Sequence, residues 1–195
     1  MEIALVQAEL CWEDNDKNLA HFSSLLENVT GVDLFVLPEM FNSGFTMNSD
    51  NIGQTMQGKA VCWLQKMANE KDAVFVASLI ILENNTRYNR LVWVTPNGGT
   101  KTYNKKHLFR MANEHDYFTP GNERVIIEYK GIRFCPQICY DLRFPIWSRN
   151  SDGKSKLPIY DCLIYVANWP KVRSDAWASL LKARAIENQA FVIGV

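Results

Sequence analysis

Short apolar runs of strand length alternate with helix-spaced stripes at both ends of this chain, but follow one another directly in its middle. That order restricts the fold more than any other feature. Residues 2–8 alternate loosely and read as a first strand. From Asn15 onward, Leu19, Phe22, Leu26 and Val29 recur at helical spacing. Asp33-Leu-Phe-Val-Leu37 is a buried-strand run that stops at Pro38. Ala60, Trp63, Leu64, Met67 and Ala68 form the stripe of an amphipathic helix. Residues 73–82, 88–95 and 100–105 are strand-like, with turn chemistry at Pro96-Asn-Gly-Gly99. Two more strands are expected over 124–129 and 132–139, joined near Lys130-Gly131, and another over 161–167. Ser174 is placed to cap a helix whose inner face carries Trp177, Leu180 and Leu181, and residues 190–195 start a last strand. Hairpins in the middle with crossovers at both ends argue against a purely parallel, doubly wound sheet. They favour a layered α/β sandwich with mixed pairing.

No repeat, low-complexity segment or linker divides the 195 residues, and a chain that is 47% hydrophobic can bury one substantial core. Lys plus Arg equals Asp plus Glu at 21 each, which gives no support to nucleic-acid binding. The N-terminus reads as a strand, without the basic start of a signal peptide, and no run approaches the roughly 18 apolar residues of a membrane span. The five cysteines are odd in number and lack metal-type pair spacing, so free thiols in a reducing, cytoplasmic setting fit best.

Three segments carry possible chemistry. In Leu37-Pro-Glu-Met-Phe41, Glu39 directly follows a buried strand, at the strand end where α/β proteins place active sites. Enclosure there would raise its pKa and make it a usable base. In Tyr103-Asn-Lys-Lys-His-Leu-Phe109, strand alternation turns Tyr103 and Lys105 one way, Asn104 and Lys106 the other. An inward ammonium can stabilise a developing oxyanion. In the segment from Phe134 to Pro145, Phe134, Pro136 and Ile138 share a face and Cys139 stands at the strand end, the position of an exposed nucleophile. Taken singly, each has a blander reading: a solvated loop glutamate, an ordinary basic edge strand, a buried structural cysteine. The last is kept for Cys11, Cys62, Cys135 and Cys162. The three histidines, His21, His107 and His115, bring no local signature of a Cys–His enzyme, and no ligand pair has zinc spacing.

In their order, these segments resemble the nitrilase (carbon–nitrogen hydrolase) superfamily. The resemblance rests on Glu39 after the second strand, Lys105 in K-x-H-L-F, Phe118-Thr-Pro-Gly121, Cys139 in C-Y-D-x-R-F-P, and Ala183-Arg-Ala-Ile-Glu-Asn188. It covers essentially the whole chain. It implies a four-layer αββα sandwich, commonly a dimer, with Glu39 as general base, Lys105 as oxyanion stabiliser, Cys139 as nucleophile and Glu114 as a second glutamate. The backbone N–H of Tyr140 would complete the oxyanion hole. The segment from His107 to Ala112 and the one from Cys139 to Asn150 look closest to bacterial omega-amidases, which hydrolyse 2-oxoglutaramate and related omega-amides without metal or organic cofactor. Arg143 would then attract a substrate carboxylate, or else pair with Asp141, and Phe41 and Trp169 would line a small pocket. Other branches, a nitrilase or N-carbamoyl hydrolase, and an idle binding homologue are the competing readings. The resemblance also implies further C-terminal sheet strands beyond the residues Phe191-Val-Ile-Gly-Val195.

Overall fold

The apolar runs pair into two separate sheets, one from each half of the chain, in a computed structural model that describes residues 1–151, 153 and 157–195. The first half supplies β1 (Ile3–Leu5), α1 (Asn15–Leu26), β2 (Leu34–Val36), the short α2 (Ser49–Ile52), α3 (Lys59–Lys71), β3 (Val74–Glu83), β4 (Thr86–Val94) and β5 (Thr100–Asn104). The second half supplies α4 (Glu114–Tyr117), β6 (Ile127–Tyr129), β7 (Ile132–Ile138), α5 (Pro145–Ser148), β8 (Cys162–Val166), α6 (Ser174–Asn188) and β9 (Phe191–Gly194).

The first sheet runs β1-β2-β3-β4-β5, parallel through β3 and antiparallel thereafter. The second runs β6-β7-β8-β9, with β6 antiparallel to β7 and the rest parallel. The switch from parallel to antiparallel is made by two-residue turns. Asn84-Asn85 (φ 50° and 61°) joins β3 to β4, and Lys130-Gly131 (φ 47° and 75°) joins β6 to β7. Positive φ at both central residues marks the turn whose twist matches that of paired strands, and Asn tolerates it best after Gly. Pro136 sits within β7 because β6 ends opposite Phe134, so its missing N–H interrupts no ladder on that side.

Period-2 alternation sorts each strand between two cores. Phe35, Phe75, Ala77, Leu79, Val92 and Val94 face α1 and α3. Leu34, Val36, Val74, Val76, Leu91 and Trp93 face the opposite way, against Ile127, Phe134, Ile138, Ile164 and Val166 of the second sheet. Cys135, Leu163 and Tyr165 on that sheet's outer face meet α6. Helices, sheet, sheet, helix give the four-layer αββα sandwich. Trp93 joins the two sheets, with its ring 5.2 Å from Phe134 and 6.3 Å from Tyr129. Asp14 caps α1 by accepting from the Lys17 N–H at 3.0 Å.

The structure corrects three expectations. Ser174 is the first residue of α6 rather than its cap, and no side chain caps that end. Trp177, Leu180 and Leu181 pack on the sheet half-buried, while the buried residues of α6 are the polar Arg184 and Asn188. Cys11 and Cys62 are exposed, not buried; Cys135 and Cys162 are buried. Among the described residues, no helix is long and apolar enough to cross a membrane.

Candidate active site

The carboxyl ends of β2, β7 and β8 and the end of β5 converge, and each delivers one polar residue to the same spot. Alternation continues past β5, so Tyr103 and Lys105 are buried while Asn104 and Lys106 are half-exposed. Lys105 Nζ lies between two buried carboxylates, 2.7 Å from Glu39 Oε1 and 2.9 and 3.1 Å from the Glu114 oxygens. The Phe45 ring lies 5.2 Å from the same nitrogen. Burial alone would lower the Lys105 pKa, but Glu39 and Glu114 outweigh it and hold the ammonium above its ordinary range. Lys106 goes elsewhere, over the Trp147 ring.

Both carboxylates are fully satisfied. Asn89 Nδ2 donates to Glu39 at 2.8 Å and to Glu114 at 3.1 Å, while its Oδ1 accepts from Ser78 Oγ. The Asn168 N–H donates to Glu39 Oε2 at 3.0 Å, and the Phe109 N–H donates to Glu114 Oε2. Ser78, Asn89 and Asn168 were not singled out from sequence. A signal existed: Ser78 shares alternation with Val74 and Val76, and Asn89 with Leu91 and Trp93, so both are polar residues on the face between the sheets. A polar group at such a position needs a partner.

Cys139 directly follows β7 with φ 42°, a left-handed conformation that costs a non-glycine residue about 1–3 kcal/mol. It opens a 3-10 turn over Cys139–Arg143, and the turn is tied down at both sides. Asp141 accepts from the Ile138 N–H, from Tyr103 OH at 2.7 Å and from the His107 N–H at 2.9 Å, and its Oδ1 is 2.8 Å from His107 Nδ1. Arg184 donates to the Leu142 carbonyl at 2.6 Å. Asp141 thereby links the cysteine's turn to the residues two before and two after Lys105. This accounts for Asp141 in C-Y-D, His107 in K-x-H-L-F and Arg184 in A-R-A-I-E-N. Burial first, and the Glu39 carboxylate second, push the Cys139 thiol well above its usual pKa, so it rests protonated. A thiolate there would add a third negative charge around one ammonium.

Glu39 and Cys139 open onto a pocket of about 60 Å³, walled by Phe45, Phe109, Tyr140 and Trp169, with Arg143 and Arg173 at its rim. A wider groove of about 570 Å³ shares Asn168 and Trp169 with it but includes neither Glu39 nor Cys139. Of the expected pocket residues, Tyr140, Arg143 and Trp169 line it. Phe41 does not: it is fully buried under α1 and α3, with Phe22 and Trp63 each 5.7 Å away. Met40 (φ 47°) reverses the chain directly after Glu39 and turns Phe41 back into the core, leaving Phe45 as the pocket wall. Arg143 makes no pair with Asp141, whose oxygens are already taken; its guanidinium lies over Trp169 at 5.2 Å.

A buried thiol beside a carboxylate–lysine–carboxylate cluster, at the strand ends of a four-layer sandwich, defines the class of hydrolases that open carbon–nitrogen bonds through a cysteine. The chain belongs to the carbon–nitrogen hydrolase family, whose model matches residues 2–195. It is 46% identical over its full length to the omega-amidase YafV of Escherichia coli (strain K12), covering 73% of that protein. Over 97% of its length it is 32% identical to the 2-oxoglutaramate amidase of Bacillus subtilis (strain 168), again covering 73% of the relative. The crystal structure of XC1258 from Xanthomonas campestris, a CN-hydrolase superfamily protein with an arsenic adduct in its active site, superposes with a TM-score of 0.95 at 41% identity. That match covers 99% of this chain and 74% of the other.

Proposed function

We propose that this chain hydrolyses a small omega-amide of a dicarboxylate, of the 2-oxoglutaramate type, to the acid and ammonia. The observation that carries the reading is the Lys105 ammonium held between Glu39 and Glu114, with the Cys139 thiol beside Glu39. Identity to omega-amidases supports the substrate class.

In the proposed chemistry, Cys139 Sγ attacks the amide carbon while its proton passes to Glu39. The resting thiol's raised pKa makes that transfer part of the attack rather than a step before it. Lys105 and the backbone N–H of Tyr140 stabilise the oxyanion, and Glu114 keeps Lys105 in place. Collapse breaks the C–N bond, and Glu39 returns its proton to the departing ammonia. Water, deprotonated by Glu39, then hydrolyses the thioester, releasing the acid and restoring the thiol. We also infer a small-molecule partner only, a homodimer and a cytoplasmic setting.

Ammonia release from a panel of omega-amides, nitriles and carbamoyl amino acids tests the reading. The expected result is turnover concentrated on amides that carry a carboxylate at the far end. Preference for nitriles or carbamoyl compounds assigns the chain to another branch, and no turnover of any of them defeats the enzymatic reading.

A further inference from the structure

The pocket is lined by a second arginine, Arg173, besides Arg143. Arg173 closes the 3-10 turn Lys171–Arg173 between β8 and α6, and its guanidinium lies 5.6 Å over the Phe109 ring, on the pocket wall. Arg143 comes from a different segment, the turn after β7, and lies over Trp169. The two guanidiniums thus rest on two separate aromatic plates around one opening. Among the described residues, neither forms an ion pair, unlike Arg87, Arg90, Arg133 and Arg184; Arg110, Arg124 and Arg149 are also without one, but none of these three lines this pocket.

The inner and outer ends of the pocket are therefore opposite in character. The inner end holds a single ammonium, Lys105, between two carboxylates, Glu39 and Glu114, and so has no cation free for a substrate carboxylate. The outer end holds ten N–H donors on two planar cations with no carboxylate to receive them. Placement over the Trp169 and Phe109 rings holds each guanidinium beside the pocket without consuming those donors. The Arg173 backbone also contributes, since its carbonyl accepts from Trp169 Nε1 at 2.8 Å and so ties one aromatic plate to the other cation.

We propose that Arg173 is a specificity-determining residue that, with Arg143, clamps the carboxylate-bearing head of the substrate between two guanidiniums. The inference rests on the omega-amide reading and deepens it. A head offering two adjacent acceptor groups, such as a carboxylate with a neighbouring oxo oxygen, engages both forks, whereas a lone amide chain engages neither.

The test compares a carboxylate-bearing omega-amide with an uncharged amide of equal length, in wild type, Arg173→Gln and Arg173→Lys. Charge-assisted hydrogen bonds of this kind correspond to about 10- to 100-fold in affinity. Arg173→Gln is expected to reduce the charged-to-uncharged ratio of kcat/KM by about that factor, chiefly through KM, and Arg173→Lys to recover part of it. Calorimetry of glutarate binding to Cys139→Ala, with and without Arg173→Gln, gives a readout independent of turnover, and the same loss is expected there. If wild type shows no preference for the charged amide, the omega-amide reading itself fails. If wild type shows the preference and Arg173→Gln keeps it, or loses activity equally on both amides, only the role of Arg173 is overturned.

Discussion

Lys105 and Lys106 are adjacent in sequence and unrelated in structure. The first is buried between two carboxylates; the second lies over Trp147 near the surface. Removing one oxyanion donor costs about 100- to 1,000-fold in turnover. Lys105→Ala is expected to lose at least that much, and more because it leaves two buried carboxylates facing each other uncompensated. Lys106→Ala is expected to stay near wild type. Steady-state ammonia release ranks the two, and the reverse order contradicts the register. That register was legible because the strand's alternation carries on past Asn104, where the Lys105 N–H still donates to the Asn89 carbonyl at 2.9 Å. Phe41 was misjudged for the converse reason. The strand before it ends at Val36, ahead of Pro38, and the positive φ of Met40 then breaks any parity on which a sequence argument relies.

At the scale of elements, the site depends on how β5 ends. The Gly121 N–H donates to the Lys105 carbonyl at 2.9 Å, and a Cβ on Gly121 would collide with the carbonyl of Asn104. The glycine of Phe118-Thr-Pro-Gly121 is therefore required by close backbone approach, not by an unusual φ. Gly121→Ala is expected to push the strand end outward and displace Lys105 from its carboxylates. Overpacking of this kind costs about 1–3 kcal/mol. Thermal unfolding should register that loss, and kcat should fall by more than stability accounts for. An active, fully stable variant would show that the strand end tolerates the shift. The strands and the three long helices were legible within a few residues, because each apolar stripe met a core; the one-turn helices α2, α4 and α5 carry no such stripe and were not. What local pattern did not carry was the polar side of α6. Arg184 and Asn188 are buried there to hold the turn after Cys139 and the segment around Asn150, and that requirement comes from distant chain.

The whole molecule works as two sheets pressed together so that strand ends from both halves meet. Glu39 and Lys105 come from the first half, Cys139 and Asn168 from the second, and Asp141 bonded to Tyr103 and His107 joins them. Strand order alone suggested a layered α/β sandwich with mixed pairing, without saying how the strands divide. The division into two sheets follows from which strands pair over long sequence distance, which no short window encodes; the family motifs implied it. The same assembly creates a choice between two buried cysteines four residues apart. Burial pushes the Cys135 thiol up to about 12, and it faces α6 and the outer core rather than the pocket. Cys139 faces Glu39 and the opening. Rapid quench of the enzyme turning over a carboxylate-bearing omega-amide, followed by peptide mass spectrometry, tests this assignment most directly. Cleavage after Arg133 and Arg143 leaves both cysteines on one peptide, so fragmentation between them must locate the acyl group. The account predicts an acyl thioester on Cys139, absent in Cys139→Ala. An acyl group on Cys135, or turnover persisting in Cys139→Ala, would contradict it.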